Sequence, residues 1–405
     1  MNKKISLGVA ISLIIVSIAV SFSATMAFAQ KTYNKLIPSL SDRLDRRYAL
    51  DEIEEIINSN FFSNDKVNKQ VLNEKIANGY IQGLEEENCR YLTPREYADY
   101  QNSVEGKING IGIITNKNAA DGTMTVMNVA PGSPADREGM ARGDVIVSIE
   151  NEKLTPDNYD ILAPKLQSTT LKSVTLSYVR DKQTKTVSVL IGYDLRSVTF
   201  DSYGHIGHIK IRSFNKTTPE QLKSAIKELK SKNVNFLIFD VRGTREGTIE
   251  YAAKTADVLV PVATEGTMAI ATARDRDGNV HSTFPSDSDE INLPMAVLVD
   301  DGTSGGAELF AISLRDFKRA PIVGERTAGN NTMQELFKLK TGGALLITVA
   351  EVTPYLSPAY NGGIIPDMEV EMPPEQKRNL DNLDKDNDPQ LMAVINNYTI
   401  AEEDQ

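Results

Sequence analysis

Apolar residues change their spacing along the chain, and the changes divide it. Between residues 40 and 100 they recur at helical intervals. LSDRLDRRYALDEIEEIINSNFF carries Leu40, Leu44, Tyr48, Ile53, Ile56 and Ile57, and KVNKQVLNEKIANGYIQGLEEE carries Val67, Val71, Leu72, Ile76, Tyr80 and Leu84. The pattern predicts an α-hairpin or small helical subdomain suited to packing or dimerisation. From Gly106 to about Tyr193 the texture becomes short strands and turns: INGIGIIT, MTVMNV, the alternating Val145 to Ile149, a helix over NYDILAPKLQS, and a hairpin from SVTLSYVRD and TKTVSVLIG. After Leu195 strands and helices alternate, as in IGHIKIRSF, TPEQLKSAIKELKSKN, VNFLIFDVR, GTIEYAAKTADVLV, MAVLVDDG, GAELFAISLRDF and APIVGE. That alternation predicts an α/β segment with a mostly parallel sheet covered on both faces. Ligand sites in such sheets lie beyond the carboxyl ends of the strands, here the loops after Val241 and Val299.

Two stretches qualify this picture. ATARDRDGNVHSTF predicts a hairpin turning at Asp277-Gly278. DNLDKDNDPQL places Asp384, Asp386 and Asp388 at alternate positions, as a calcium loop would. However, Pro389 stands at the glycine position and Ile395 at the final glutamate position. The polar stretch after Met372 is therefore expected to be solvated linker.

The first thirty residues place Lys3 and Lys4 ahead of a long apolar run that ends in Ala27-Phe28-Ala29. This is expected to be a signal peptide or signal anchor. The run exceeds the roughly 7–15 residues of a cleavable segment and approaches the roughly 20 of a membrane span, which favours the anchor. Lys3 and Lys4 would then stay in the cytoplasm and everything after Lys31 lie outside. The net charge of −11 disfavours nucleic acid as a partner. One cysteine, Cys89, cannot form an intrachain disulfide. The histidines, His205, His208 and His281, lack metal-site spacing, so neither metal nor cofactor is expected.

The string GSPADREGMARGDVIVSI, Gly132 to Ile149, resembles a PDZ domain, and Gly110-Ile111-Gly112-Ile113 sits where that family captures a peptide carboxylate. From about Tyr48 to Tyr398 the chain resembles the C-terminal processing, or tail-specific, peptidases of family S41. The strings CRYLTPREYADY, GHIKIRSF, LIFDVRG, AELFAISLRDFKRAPIVGERTAG and GGIIPDMEV carry the resemblance. It implies an α/β peptidase-like core with an inserted PDZ domain and an N-terminal helical subdomain. The expected divisions are 1–30 signal segment, 31–104 helical region, 105–193 PDZ domain, 194–375 α/β core and 376–405 polar tail.

The resemblance also implies a Ser-Lys dyad, in which a lysine of depressed pKa takes the serine proton and backbone N–H groups hold the oxyanion. The chain departs from it at three places. The family's G-[ST]-A-S-A-[SA]-E, laid on GTSGGAE, puts Thr303 at the hydroxyl position, Ser304 at the alanine and Gly305 at the nucleophile. The family's T-x-G-K-G, laid on TAGNN, puts Asn330 at the lysine, while Gln334 matches the orienting glutamine. An asparagine amide has no basic lone pair near neutral pH. In the oxyanion region, which includes Gly306, the loop from Asp240 reads DVRGTREG. Glu246 replaces the first glycine there and Gly247 keeps the second. A negative charge at that point would oppose a developing oxyanion.

Ser304 is one residue early, and an offset of one turns a side chain by roughly 100° on a helix or to the opposite face of a strand. The nearby lysines, Lys318, Lys338 and Lys340, lie in stretches that read as surface. The expectation is an exported pseudopeptidase that binds peptide C-termini or a protein partner through the PDZ groove and the former cleft. It could form a homodimer or a heterodimer with an active S41 peptidase. The alternative is an active serine endopeptidase with a rearranged site using Ser304.

Overall fold

The computed structural model describes residues 49–168, 171–261, 269–287, 291–380 and 383–403, with a few positions between 16 and 29. Most of the expected signal segment lies outside the described residues, and no described helix is long and apolar enough to cross a membrane. The chain divides into Met1–Ile76 and Ala77–Gln405. In the first unit a helix covers 49–60 and a second begins at Lys69. Leu50, Ile53, Ile56, Val71, Leu72 and Ile76 are exposed. The helical spacing is there, but the expected N-terminal subdomain is not established, because these apolar residues form no buried core.

In the second unit, strands 113–117, 124–129, 145–149, 173–180 and 183–190 form an antiparallel sheet in chain order. Its inward residues, among them Val126, Ile146, Ile149, Leu176 and Val189, make a core separate from the rest. The chain enters and leaves this body through a two-stranded neck, Lys107–Ile108 against Tyr193–Asp194.

The following sheet carries strands β1 (Val198–Tyr203), β2 (Ile206–Ile211), β3 (Phe236–Asp240), β4 (Met295–Val299), β5 (Ile322–Gly324) and β6 (Met368–Glu369), adjacent in that order. Only the β1/β2 ladder is antiparallel. A second sheet is wholly antiparallel, with strand Ala344–Pro354 between Ala269–Asp275 and the edge strand Thr332–Lys338. Over the described residues the pairings are therefore mostly antiparallel, not mostly parallel as expected. The reason is local. The hairpins 269–285 and 332–354 leave the βα alternation and build a sheet of their own, and the 113–190 sheet adds only antiparallel ladders.

Strands β3 and β4 are buried on both faces, as their unbroken apolar runs require. Leu237, Phe239, Val297 and Val299 face helices α1 (Thr218–Ser231), α2 (Ile249–Asp257) and α3 (Gly306–Asp316). Phe236, Ile238, Ala296 and Leu298 face the opposite way, where Leu391 and Val394 cover them with Ile395 and Tyr398 packed alongside. Those residues belong to helix α4 (Pro389–Glu403). The stretch expected to be solvated linker therefore closes one face of the central sheet, and the i, i+3, i+4, i+7 spacing of these four residues is the reason.

The junction is tied by charge. Arg242, fully buried, donates to Asp240 Oδ1 and Oδ2 at 3.0 and 2.7 Å and to Asp388 Oδ1 and Oδ2 at 3.0 and 2.7 Å. It also reaches Gln390 Oε1 at 3.0 Å, and His208 Nε2 lies 3.1 Å from Asp240 Oδ2. Burial works against the Asp240 carboxylate, yet the Arg242 charge and the His208 hydrogen bond outweigh it and hold the carboxyl well below the ordinary range. Because the folded value is depressed, Asp240 contributes its stability fully above about pH 4, its unfolded range, and loses it as the pH falls toward the folded value. Stability measured by urea unfolding should fall as the pH is lowered from about 4. In Asp388→Ala the stability at neutral pH should drop by about 3 kcal/mol, because removing one partner leaves Arg242 donors buried and unpaired. An unchanged urea midpoint would contradict this role.

Candidate active site

At the end of β4 the chain turns a tight corner into α3. Asp300 Oδ1 accepts from Gly243 N at 2.7 Å, Gly302 N at 3.0 Å and Thr303 Oγ1 at 3.1 Å. A Cβ on Gly302 would come within 2.9 Å of Gly243 Cα, so this close approach needs glycine. Ser304 N donates to Thr244 O at 3.0 Å, which couples the corner to the loop after β3. Gly305 then caps α3 with φ 61° and ψ −114°, a backbone that L side chains rarely adopt. A Cβ built on Gly305 would have Asn330 Nδ2, at 3.7 Å, as its nearest contact. The two positions that the resemblance implies for nucleophile and base, Gly305 and Asn330, thus face each other, one without a side chain and the other with a neutral amide.

Glu308, one turn into α3, holds the loop that bears Asn330. Its fully buried carboxylate accepts from Gly305 N at 3.0 Å, Gly329 N at 2.7 Å, Asn330 N at 2.8 Å and Thr327 Oγ1. Burial raises the Glu308 pKa, while these donors pull it down without fully offsetting the burial. The Asn330 side chain is held by a line of neutral groups. Its Nδ2 donates to Asn88 Oδ1 at 3.2 Å, and its Oδ1 accepts from Thr332 N at 3.1 Å and Thr332 Oγ1 at 2.7 Å. Gln334 does not touch Asn330. Its Nε2 donates to Thr332 Oγ1 at 2.7 Å and Thr348 Oγ1 at 3.3 Å, so any orienting influence passes through the threonine.

These groups border a cleft of about 450 Å³, lined in part by Gly305, Gly306, Asn330, Gln334, Glu246 and Gly247. Ser304 is not on its wall, and no lysine or histidine lines it among the described residues. Lys318, Lys338 and Lys340 are exposed elsewhere. Gly247 has φ 120°, and a Cβ there would press to 2.4 Å from Phe214 N and O, so the two-residue ladder with Ser213–Phe214 admits only glycine. Glu246 beside it is exposed, and its charge helps raise the Tyr100 pKa behind burial as the larger cause. Asn88, Thr332 and Thr348 were not anticipated as site residues. Asn88 lies 242 residues before Asn330, a separation that no local spacing can signal.

A second concavity is a groove of about 500 Å³ lined by Gly110, Ile111, Gly112 and Ile113 together with Met124 and Leu166. Gly110 and Gly112 have φ of 124° and 85°. A Cβ on Gly112 would fall 2.1 Å from Ser133 Cβ. The N–H groups of Ile111 and Gly112 donate to no acceptor among the described residues.

Residues 205–370 match the family model for peptidase family S41, and residues 125–180 match that of a PDZ domain. Residues 205–370 are thus a peptidase family S41 domain, and residues 125–180 a PDZ domain. Among curated proteins it is 31% identical over 309 residues to carboxyl-terminal-processing peptidase 2, chloroplastic, of Arabidopsis thaliana, covering 70% of this chain and 58% of that one. It is 28% identical over 301 residues to peptidase 3 of the same name and organism, covering 69% and 57%. The chain thus spans somewhat more than half the length of these relatives. A solved photosystem II D1 C-terminal processing protease aligns at 24% identity over 74% of this chain and 81% of the other, with a TM-score of 0.44.

Gly305→Ser should fold, because its Cβ would meet nothing closer than Asn330 Nδ2 at 3.7 Å. The positive φ should cost about 1–2 kcal/mol, read by denaturant unfolding. Gly247→Ala, which meets backbone atoms, should cost roughly 3 kcal/mol or more. Equal losses in the two variants would show that the corner is not preformed for a side chain.

Proposed function

We propose that this S41-family protein is a pseudopeptidase, which binds peptide C-termini or a protein partner through its PDZ groove and former catalytic cleft without cleaving them. The observation that carries the reading is the pair Gly305 and Asn330. The corner aims position 305 at position 330 with 3.7 Å between the implied Cβ and the amide nitrogen, yet there is no hydroxyl on one side and no base on the other. A Ser-Lys mechanism needs both, since the lysine must take the proton as the serine attacks. Glu246 stands on the cleft wall where the family has a glycine, in company with Arg90 and Arg245. Ser304, the alternative nucleophile, lies off the cleft wall, and no lysine or histidine lines that cleft among the described residues.

Other features support binding. The amide and hydroxyl groups of Asn88, Asn330, Thr332 and Gln334 form a neutral hydrogen-bonding wall suited to a peptide main chain. Export, with an N-terminal tether on the outer face of the cytoplasmic membrane, is part of the proposal and rests on Lys3, Lys4 and the apolar run that follows. So is pairing with a second copy or an active S41 peptidase, which rests on the exposed apolar residues of the N-terminal helices.

The purified protein should give no turnover of an unfolded protein or a C-terminal peptide, and a fluorophosphonate should leave its mass unchanged. The double variant Gly305→Ser, Asn330→Lys should gain fluorophosphonate labelling at residue 305. Turnover by the natural sequence that disappears in Ser304→Ala would overturn the reading and establish a rearranged peptidase.

A further inference from the structure

The groove around Gly110 to Ile113 offers two unused backbone donors, but an incoming carboxylate carries a full negative charge and this chain has a net charge of −11. Backbone amides supply only partial positive charge, so a cation nearby would decide whether an anionic terminus is admitted. No lysine or arginine of the 113–190 sheet borders that end of the groove. Arg95 does, and it comes from outside the sheet, on the helix Pro94–Val104.

Its placement is fixed by the chain around it. Thr93 and Glu96 form a reciprocal cap, with Glu96 N donating to Thr93 Oγ1 at 3.3 Å and Thr93 N donating to Glu96 Oε2 at 2.9 Å, which sets the helix start one residue before Pro94. Arg95 Nη2 donates to Gln167 Oε1. Gln167 is anchored in turn, its carbonyl accepting from Asn109 Nδ2 at 2.8 Å and its Cγ lying 3.2 Å from a Cβ built on Gly110. The guanidinium is therefore tied to the glutamine that packs against the first glycine of the loop, on the lining of the same groove. It is available, with 58% of its side chain exposed, and its partner Asp99 stands 3.9 Å away with 47% exposed, too solvated to neutralise it. Among the described residues the one other charged side chain on the lining is Asp160, which Lys117 approaches to 3.8 Å.

We infer that Arg95 is the cation that meets the terminal carboxylate of a peptide bound in this groove, with Ile111 and Gly112 N–H fixing its orientation. The inference rests on the reading that the groove takes peptide C-termini. The wall of Ile111, Ile113, Met124 and Leu166 assigns an apolar last residue to that peptide.

The test uses the full chain and a short fluorescein-labelled peptide ending in valine, with either a free carboxylate or a terminal amide, followed by anisotropy. The natural protein should favour the carboxylate. Arg95→Met should weaken the carboxylate form about tenfold, as expected for loss of one charge-assisted hydrogen bond, and leave the amide form unchanged. Arg95→Lys should recover part of the loss, and added salt should erode the preference of the natural protein more than that of Arg95→Met. If Arg95→Met keeps both the affinity and the preference, Arg95 is idle although the groove binds termini. If the natural protein binds neither form, this inference and the reading beneath it fall together.

Discussion

The corner at Gly305 depends on one buried carboxylate. Glu308 gathers donors from Gly305, Thr327, Gly329 and Asn330, which belong to two segments about twenty residues apart. Each donor would otherwise be an unsatisfied polar group in a protected corner, at about 1–3 kcal/mol apiece. The opposition of positions 305 and 330 is thus a by-product of solvating Glu308 from within, and it depends on backbone donors and the Thr327 hydroxyl rather than on a side chain at position 305. A scaffold held in this way keeps the two positions opposed whatever side chains they carry. Thr327 also accepts from Ile364 N at 2.8 Å, which extends the same support toward β6.

The helix Pro94–Val104 gives the groove and the cleft a common wall. Arg95 near its start borders the groove of the antiparallel body, and Tyr100, Ser103 and Val104 border the cleft beside Gly305. A helix is stiff over this length, so a rotation that moved Arg95 would also move Tyr100. The neck Lys107–Ile108 against Tyr193–Asp194 follows directly, which leaves little slack between helix and body.

Much of this was legible in the sequence, for reasons that differ by residue. Gly305 and Asn330 are singled out by laying the family's motifs on two local strings, and the fold brings those two strings together, with a Cβ on Gly305 3.7 Å from Asn330 Nδ2. The runs FLIF and AVLV required burial on both faces, and the structure obeys. What covers the second face was missed, because the acidic composition around Asp384 to Asp388 hid the helical spacing of Leu391, Val394, Ile395 and Tyr398. The expectation of a mostly parallel sheet failed through hairpins that sit between βα units and pair with each other. Asn88 and Thr348 stayed invisible because their partners are remote along the chain, and the N-terminal helices kept their periodicity without gaining a core.

The ion pair between Arg242 and Asp388 spans 146 residues. During synthesis β3 and the loop after it appear long before the segment that neutralises Arg242 and shields Phe236 and Ile238. Until then the chain holds a half-covered sheet and an arginine fork with one carboxylate. The second face of the central sheet therefore closes only when α4 docks, and a chain lacking that segment is left with exposed apolar strand faces and an arginine short of one carboxylate, the features that make a partly folded chain sticky and protease-sensitive.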